Sequence, residues 1–198
     1  MRFICANCVA DEYSIIPAFI LKYWNFKKFE ISKRAKDLLV SLYEKPIIHI
    51  KSMDPLLKKS CLLFEAVIIR RKIHKIFDLM KCDKKEEFVN NTLNKNNKHD
   101  YFVLKENLFS LKDLSDINSN NLINTIQTYF ELFEDHILNT CEVCHYEGGT
   151  CMGCLSKEIL FAYNIETVFY CNNCNRIYHK ACSEVHPCKI DPDFKYFK

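Results

Sequence analysis

Glycine is scarce in this sequence: three residues in 198, with only five prolines. That scarcity argues against a many-stranded β fold with frequent tight turns. Long apolar runs are also missing. "SIIPAFIL" and "LLFEAVII" have the length of core segments, well short of the roughly 20 residues that span a bilayer. "MRFICANCVADEY" has no long apolar stretch after its Arg2, so it does not read as a secretory signal. The expectation is a cytosolic protein, where thiols stay reduced. Neither sign of charge dominates, with 28 Lys+Arg against 25 Asp+Glu and a net charge of +3. No HExxH motif is present, which removes the usual signature of hydrolytic zinc. Arg-rich, aromatic-interleaved surfaces are absent too, so nucleic acid is not expected as a partner, and nothing points to a small-molecule substrate.

The sequence is rich in cysteine, with twelve in all. In a reducing compartment that abundance indicates metal more often than disulfides. CxxC pairs occur at Cys5/Cys8, Cys141/Cys144, Cys151/Cys154 and Cys171/Cys174, and His179-x2-Cys182 forms a fifth pair. Two intervening residues let a tight turn aim both side chains at one ion. Four of the five pairs fall within residues 141–182, which predicts structural zinc. Thiolate-rich sites are closed, whereas catalytic zinc keeps an open position and usually has His or carboxylate ligands. No enzyme activity is therefore expected. Cys61 and Cys82 stand alone in a helical stretch and read as small buried or half-buried residues. His49, His74, His99 and His136 read as surface or packing residues. His145, next to Cys144, is a minor alternative ligand.

The pattern predicts a mainly α protein: a helical body with a C-terminal interleaved zinc-finger module of RING, FYVE or PHD type and few short strands. Residues 1–12 hold the lone Cys5/Cys8 pair, 13–140 form the helical body and 141–198 the zinc module. Ser32 caps a helix that Pro46 stops. Asp54-Pro55 opens another, with Leu57, Cys61, Phe64, Ile68, Ile69, Ile73, Ile76 and Met80 recurring over at least seven turns. "LKENLFSLKDLSD" reads as a shorter helix. Ser119 is placed as the cap of a last one, with Leu122, Ile126, Tyr129, Phe133 and Ile137 on one face. Residues 158–171 read as one or two strands. Charge is uneven: residues 1–100 carry +8 and residues 101–198 carry −5. The first half thus suits a solvated helix surface, an acidic partner or an anionic membrane.

The order CxxC, CxxC, HxxC and a final ligand resembles plant-homeodomain fingers and the diacylglycerol-binding modules of protein kinase C. That resemblance implies interleaving. One site takes Cys151, Cys154, His179 and Cys182. The other takes Cys171, Cys174, Cys188 and a fourth ligand, Asp191 or His186. Cys5 and Cys8 then remain to pair with Cys141 and Cys144, giving two to three structural zinc ions.

A wider resemblance follows from "ICANCVADEYSIIPAFILKYWNFKKFEISKRAKDLL", "NLFSLKDL" and "HILNTCEVCHYEGGTCMGC…CNNCNRIYHKAC…C". Together these are similar to the Rubicon homology domain over residues 3–191. The resemblance implies a zinc-stabilised helical scaffold without catalytic activity. It further implies an effector of the GTP-bound late-endosomal Rab GTPase, acting in autophagy and endosome–lysosome traffic at late endosomes, lysosomes or autophagosomes. The chain departs from the family in three places. The family has further cysteines upstream of the pair matching Cys5/Cys8, so the resemblance implies that residues 1–12 are a remnant of an N-terminal zinc-binding segment. Val9 stands where the family has a histidine, and Asp191 stands where it ends in CxxC. Two other readings compete: a RING-type ubiquitin ligase module, and a peripheral membrane-lipid finger.

Overall fold

The computed structural model describes residues 12–51, 54–93, 100–154 and 156–185. The chain forms two compact units, each discontinuous in sequence. One is residues 1–70 with 104–127, the other 71–103 with 128–198.

In the first unit, strand β1 (Glu12–Ile15) pairs antiparallel with β2 (Lys28–Ile31). Between them lies helix α1 (Pro17–Tyr23), with proline at its first position, where the missing N–H costs no hydrogen bond. The helix ends at Trp24, which takes the left-handed conformation (φ 53°); its N–H donates to the Ile20 carbonyl and the Asn25 N–H donates to the Phe19 carbonyl. Helix α2 (Lys33–Leu42) starts as expected at Ser32, whose hydroxyl accepts from the Ala35 N–H. Strand β3 (Ile48–His49) pairs with β4 (Leu108–Phe109).

Three helix boundaries differ from the sequence reading. Asp54 does cap the following turn, through the Leu56 N–H. That turn is a short 3₁₀ segment, Pro55–Lys59, and not the start of a seven-turn helix. Ser60 is extended (φ −147°, ψ 116°), and its hydroxyl accepts from the Leu63 N–H. The long helix α3 therefore runs only from Cys61 to Leu79. The restart at Ser60 also resets the helical phase. Cys61 and Phe64, expected on the apolar stripe, are exposed, while Leu63, Ala66 and Val67 are buried.

The "FSLKDL" segment divides as well. Leu108–Phe109 is strand, and helix α6 (Leu111–Asn118) begins behind Ser110. Ser110 and Asp113 form a reciprocal capping box, with the Ser110 N–H donating to Asp113 (2.6 Å) and the Asp113 N–H donating to the Ser110 hydroxyl (3.0 Å). Ser119 closes α6 and does not open the next helix. Asn120, left-handed at φ 62°, makes the corner, and α7 runs from Asn121 to Asp135. Leu122, Ile126, Tyr129, Phe133 and Ile137 are all buried, as their spacing predicts. Buried Arg70 is held by donating to the Leu108 and Lys105 carbonyls (2.7 and 2.8 Å) and by stacking on Phe109.

The second unit holds α4 (Lys85–Leu93) and most of α5 (Asp100–Leu104). After α7 comes a π-helical turn, His136–Thr140, then the short helix α8 (Glu142–His145). Two small hairpins follow. β5 (Gly149–Thr150) pairs with β6 (Ile159–Leu160), and β7 (Val168–Cys171) pairs with β8 (Arg176–His179), which leads into α9 (Lys180–Val185). Cys151, Leu160, Val168, Cys171 and Tyr178 form a small core beneath the hairpins. The architecture is mainly α, with short two-stranded sheets.

Candidate metal centre

The second unit gathers eight donor side chains into two groups of four. One is Cys82, His136, Cys141 and Cys144; the other is Cys151, Cys154, His179 and Cys182. In each, the donor atoms lie within 4.8 Å of one another.

The first group is built by helix ends. Cys82 follows α3, and its carbonyl accepts the Lys85 N–H at the start of α4. His136 opens the π-helical turn behind α7, where Asp135 accepts from Asn139 Nδ2 and Thr140 Oγ1 (2.9 and 3.0 Å) and fixes the turn's shape. The Cys141 N–H donates to the His136 carbonyl (2.9 Å), which brings the chain round so that α8 presents Cys144. Phe88 of α4 packs on the His136 ring with centroids 4.4 Å apart and meets Phe133 edge-on at 5.2 Å. His136 Nε2 faces the Cys82 sulfur at 3.5 Å.

The second group is built by the hairpins. Buried Cys151 accepts from the backbone N–H groups of Gly153 and His179, both at 3.4 Å. His179 ends β8, and its Nδ1 lies 3.5 Å from the Cys154 sulfur and 3.8 Å from the Cys182 sulfur. Its Nε2 faces Glu158 Oε2 at 3.3 Å. A proton on Nε2 donated to that carboxylate leaves the Nδ1 lone pair aimed at the thiols, the usual outer support of a metal-bound imidazole. Gly153 sits where a side chain cannot fit, since a Cβ there would lie 2.8 Å from the Cys182 Cβ.

These separations can be tested against an ion. Zinc bonds of about 2.3 Å to sulfur and about 2.0–2.1 Å to nitrogen, at the tetrahedral angle, place the two donors about 3.6 Å apart. The three sulfur–nitrogen distances, 3.5, 3.5 and 3.8 Å, fit that value. The donor set of three sulfurs and one imidazole per group also suits zinc, and four protein donors fill a tetrahedral shell.

Local electrostatics divides the thiols. Burial pushes Cys144 and Cys182 up to about 11. Burial also acts upward on Cys151, but the N–H groups of Cys154, His179 and Gly153 outweigh it and bring the thiol down to about 6. Burial lowers His136, whereas hydrogen bonding to Glu158 raises His179. A metal ion bound at either group would displace the remaining protons.

Residues predicted from the sequence are thus placed unevenly. Cys151, Cys154, His179 and Cys182 come together. Cys141 and Cys144 come together with Cys82 and His136, two residues that the sequence reading assigned to packing. Cys171 is buried in the core beneath the hairpins, and Cys174 lies in the turn after it. Cys5, Cys8, His186, Cys188 and Asp191 lie outside the described residues. Nothing in ligand spacing announces Cys82, which stands 54 residues before His136. For His136 there was a signal. It falls three residues after Phe133 on the buried stripe of α7, just ahead of a CxxC pair, where a polar ring needs a partner.

Three relatives align with most of this chain. "Pleckstrin homology domain-containing family M member 3" of Homo sapiens is 25% identical over 187 residues, covering 94% of this chain and 24% of its own length. "Protein associated with UVRAG as autophagy enhancer" of Homo sapiens is 28% identical over 188 residues, covering 94% and 28%. "Differentially expressed in FDCP 8 homolog" of Drosophila melanogaster is 26% identical over 186 residues, covering 91% and 36%. The chain spans about a quarter to a third of the length of these relatives. The family model described as the Rubicon Homology Domain matches residues 1–191. The chain belongs to the Rubicon homology domain family.

Proposed function

We propose that this chain is a non-enzymatic interaction module, held in shape by zinc, that binds the GTP-bound late-endosomal Rab GTPase and regulates autophagy and endosome–lysosome traffic. The observation that carries the reading is the family match over residues 1–191, joined to two four-donor groups that leave no open metal position. One relative's name refers to autophagy enhancement, which supports the same setting. In this reading Cys82, His136, Cys141 and Cys144 hold one zinc ion and Cys151, Cys154, His179 and Cys182 a second. Cys171 and Cys174 serve a third ion with Cys188 and either Asp191 or His186. The protein works on the cytoplasmic face of late endosomes, lysosomes or autophagosomes and contacts anionic membrane peripherally. No helix among the described residues is long and apolar enough to cross a membrane.

Calorimetric titration of the zinc-loaded protein with the late-endosomal Rab, in its GTP-loaded and GDP-loaded forms, tests the reading. Binding to the GTP form alone is expected. Failure of both forms to bind, or equal binding of both, overturns it.

A further inference from the structure

The end of α1 carries an arrangement that neither metal group explains. Tyr23 is 52% exposed. The Lys22 ammonium lies 5.2 Å from its ring centroid, and the Lys59 ammonium, from the 3₁₀ turn, lies 5.7 Å from it. Leu21 beside it is 41% exposed. Lys58 of the 3₁₀ turn is exposed as well, as are Lys27 and Lys28 between α1 and β2 and at the start of β2. No acidic residue occurs from Tyr13 to Phe29, or from Pro55 to Phe64.

A lysine in the last turn of a helix is favoured by the helix dipole, which accounts for Lys22. It does not account for Lys59, which comes from a separate element to the same aromatic ring. Nor does it account for an exposed tyrosine and leucine left among lysines. Lysines offer charge to a layer of phosphates. Tyrosine pairs an apolar ring with a polar tip and favours the boundary between headgroups and acyl chains.

We propose that the surface made by Tyr23, Leu21, Lys22 and Lys59 docks on an anionic lipid bilayer, with Tyr23 entering the headgroup layer and the lysines contacting lipid phosphates. The proposal rests on the peripheral membrane contact put forward above and names the surface responsible. A lipid surface is favoured over an acidic protein segment because exposed apolar side chains and unopposed positive charge occur together here.

Trp24, the single tryptophan of the chain, adjoins Tyr23 and reports on the site. The zinc-loaded 198-residue protein is mixed, without any GTPase, with vesicles of phosphatidylcholine alone or of phosphatidylcholine with phosphatidylserine. Cosedimentation and a blue shift of Trp24 emission are expected only with phosphatidylserine, and both weaken with added salt. The pair Lys22→Gln/Lys59→Gln is expected to weaken partitioning about thirtyfold, at roughly fivefold for each basic side chain removed from an anionic surface. Lys75→Gln/Lys84→Gln removes the same charge elsewhere and is expected to retain most of the binding, with circular dichroism verifying that both variants fold. Equal weakening by the two pairs, or cosedimentation with unchanged Trp24 emission, overturns the assignment to this surface. Absence of binding to either vesicle overturns the membrane contact itself and leaves the GTPase reading standing. Loss of Rab binding in solution by Lys22→Gln/Lys59→Gln, with vesicle binding intact, overturns the proposal and marks the surface as a protein contact.

Discussion

The two four-donor groups use the same ligand chemistry, three cysteines and one histidine, yet they are made in different ways. The hairpin group is local. Its ligands come from two tight pairs on a small β platform, and Cys154 is exposed to solvent. The other group is assembled from helix ends, with His136 and Cys144 both buried. Its ligands arrive from the end of α3, the π turn after α7, and α8. One group organises a hairpin module from its own sequence, whereas the other ties the ends of long helices to that module's first turn.

The largest expected effect lies in this contrast. Cys144→Ala removes a buried ligand of the helix-borne group. Structural zinc contributes on the order of 10–16 kcal/mol of apparent folding free energy in finger peptides, while a whole domain is stable by only about 5–15 kcal/mol. We expect Cys144→Ala to lose one metal ion together with much of the helical circular dichroism. Cys154→Ala is expected to lose one ion and keep the helical signal. Equal loss of helicity in the two variants would erase the distinction.

Phe133→Ala comes next. It empties a fully buried ring that meets Phe88, the residue packed on His136. A cost of about 3–5 kcal/mol in denaturant unfolding is expected, with weaker metal retention at the helix-borne group alone. Glu158→Gln is gentler. It alters the outer partner of His179 and should weaken metal binding at the hairpin group about 10–100-fold in competition with a chelator, without touching the other ion.

The hairpin group was legible in the sequence because its ligands come in pairs at fixed spacing, and spacing survives without a structure. The long buried stripe of α7 was legible for the same reason: it is a periodic pattern. What escaped depends on contacts distant in sequence. Cys82 has no partner near it along the chain, so it read as a small helical residue. The π-helical turn that redirects His136 toward it carries no compositional mark. The boundary at Ser60 was missed because a proline-led 3₁₀ turn and the first turn of an α-helix share the same capping residues. An extended backbone at one serine then moved Cys61 and Phe64 off the stripe.

Cys82 and His136 stand with Cys141 and Cys144 as one four-donor group. Native mass spectrometry of the metal-loaded protein tests it directly, by counting ions in the wild type and in Cys82→Ala. One ion fewer is expected in Cys82→Ala, and two fewer when Cys154→Ala is added. A Cys82→Ala protein that keeps the full wild-type count would contradict it.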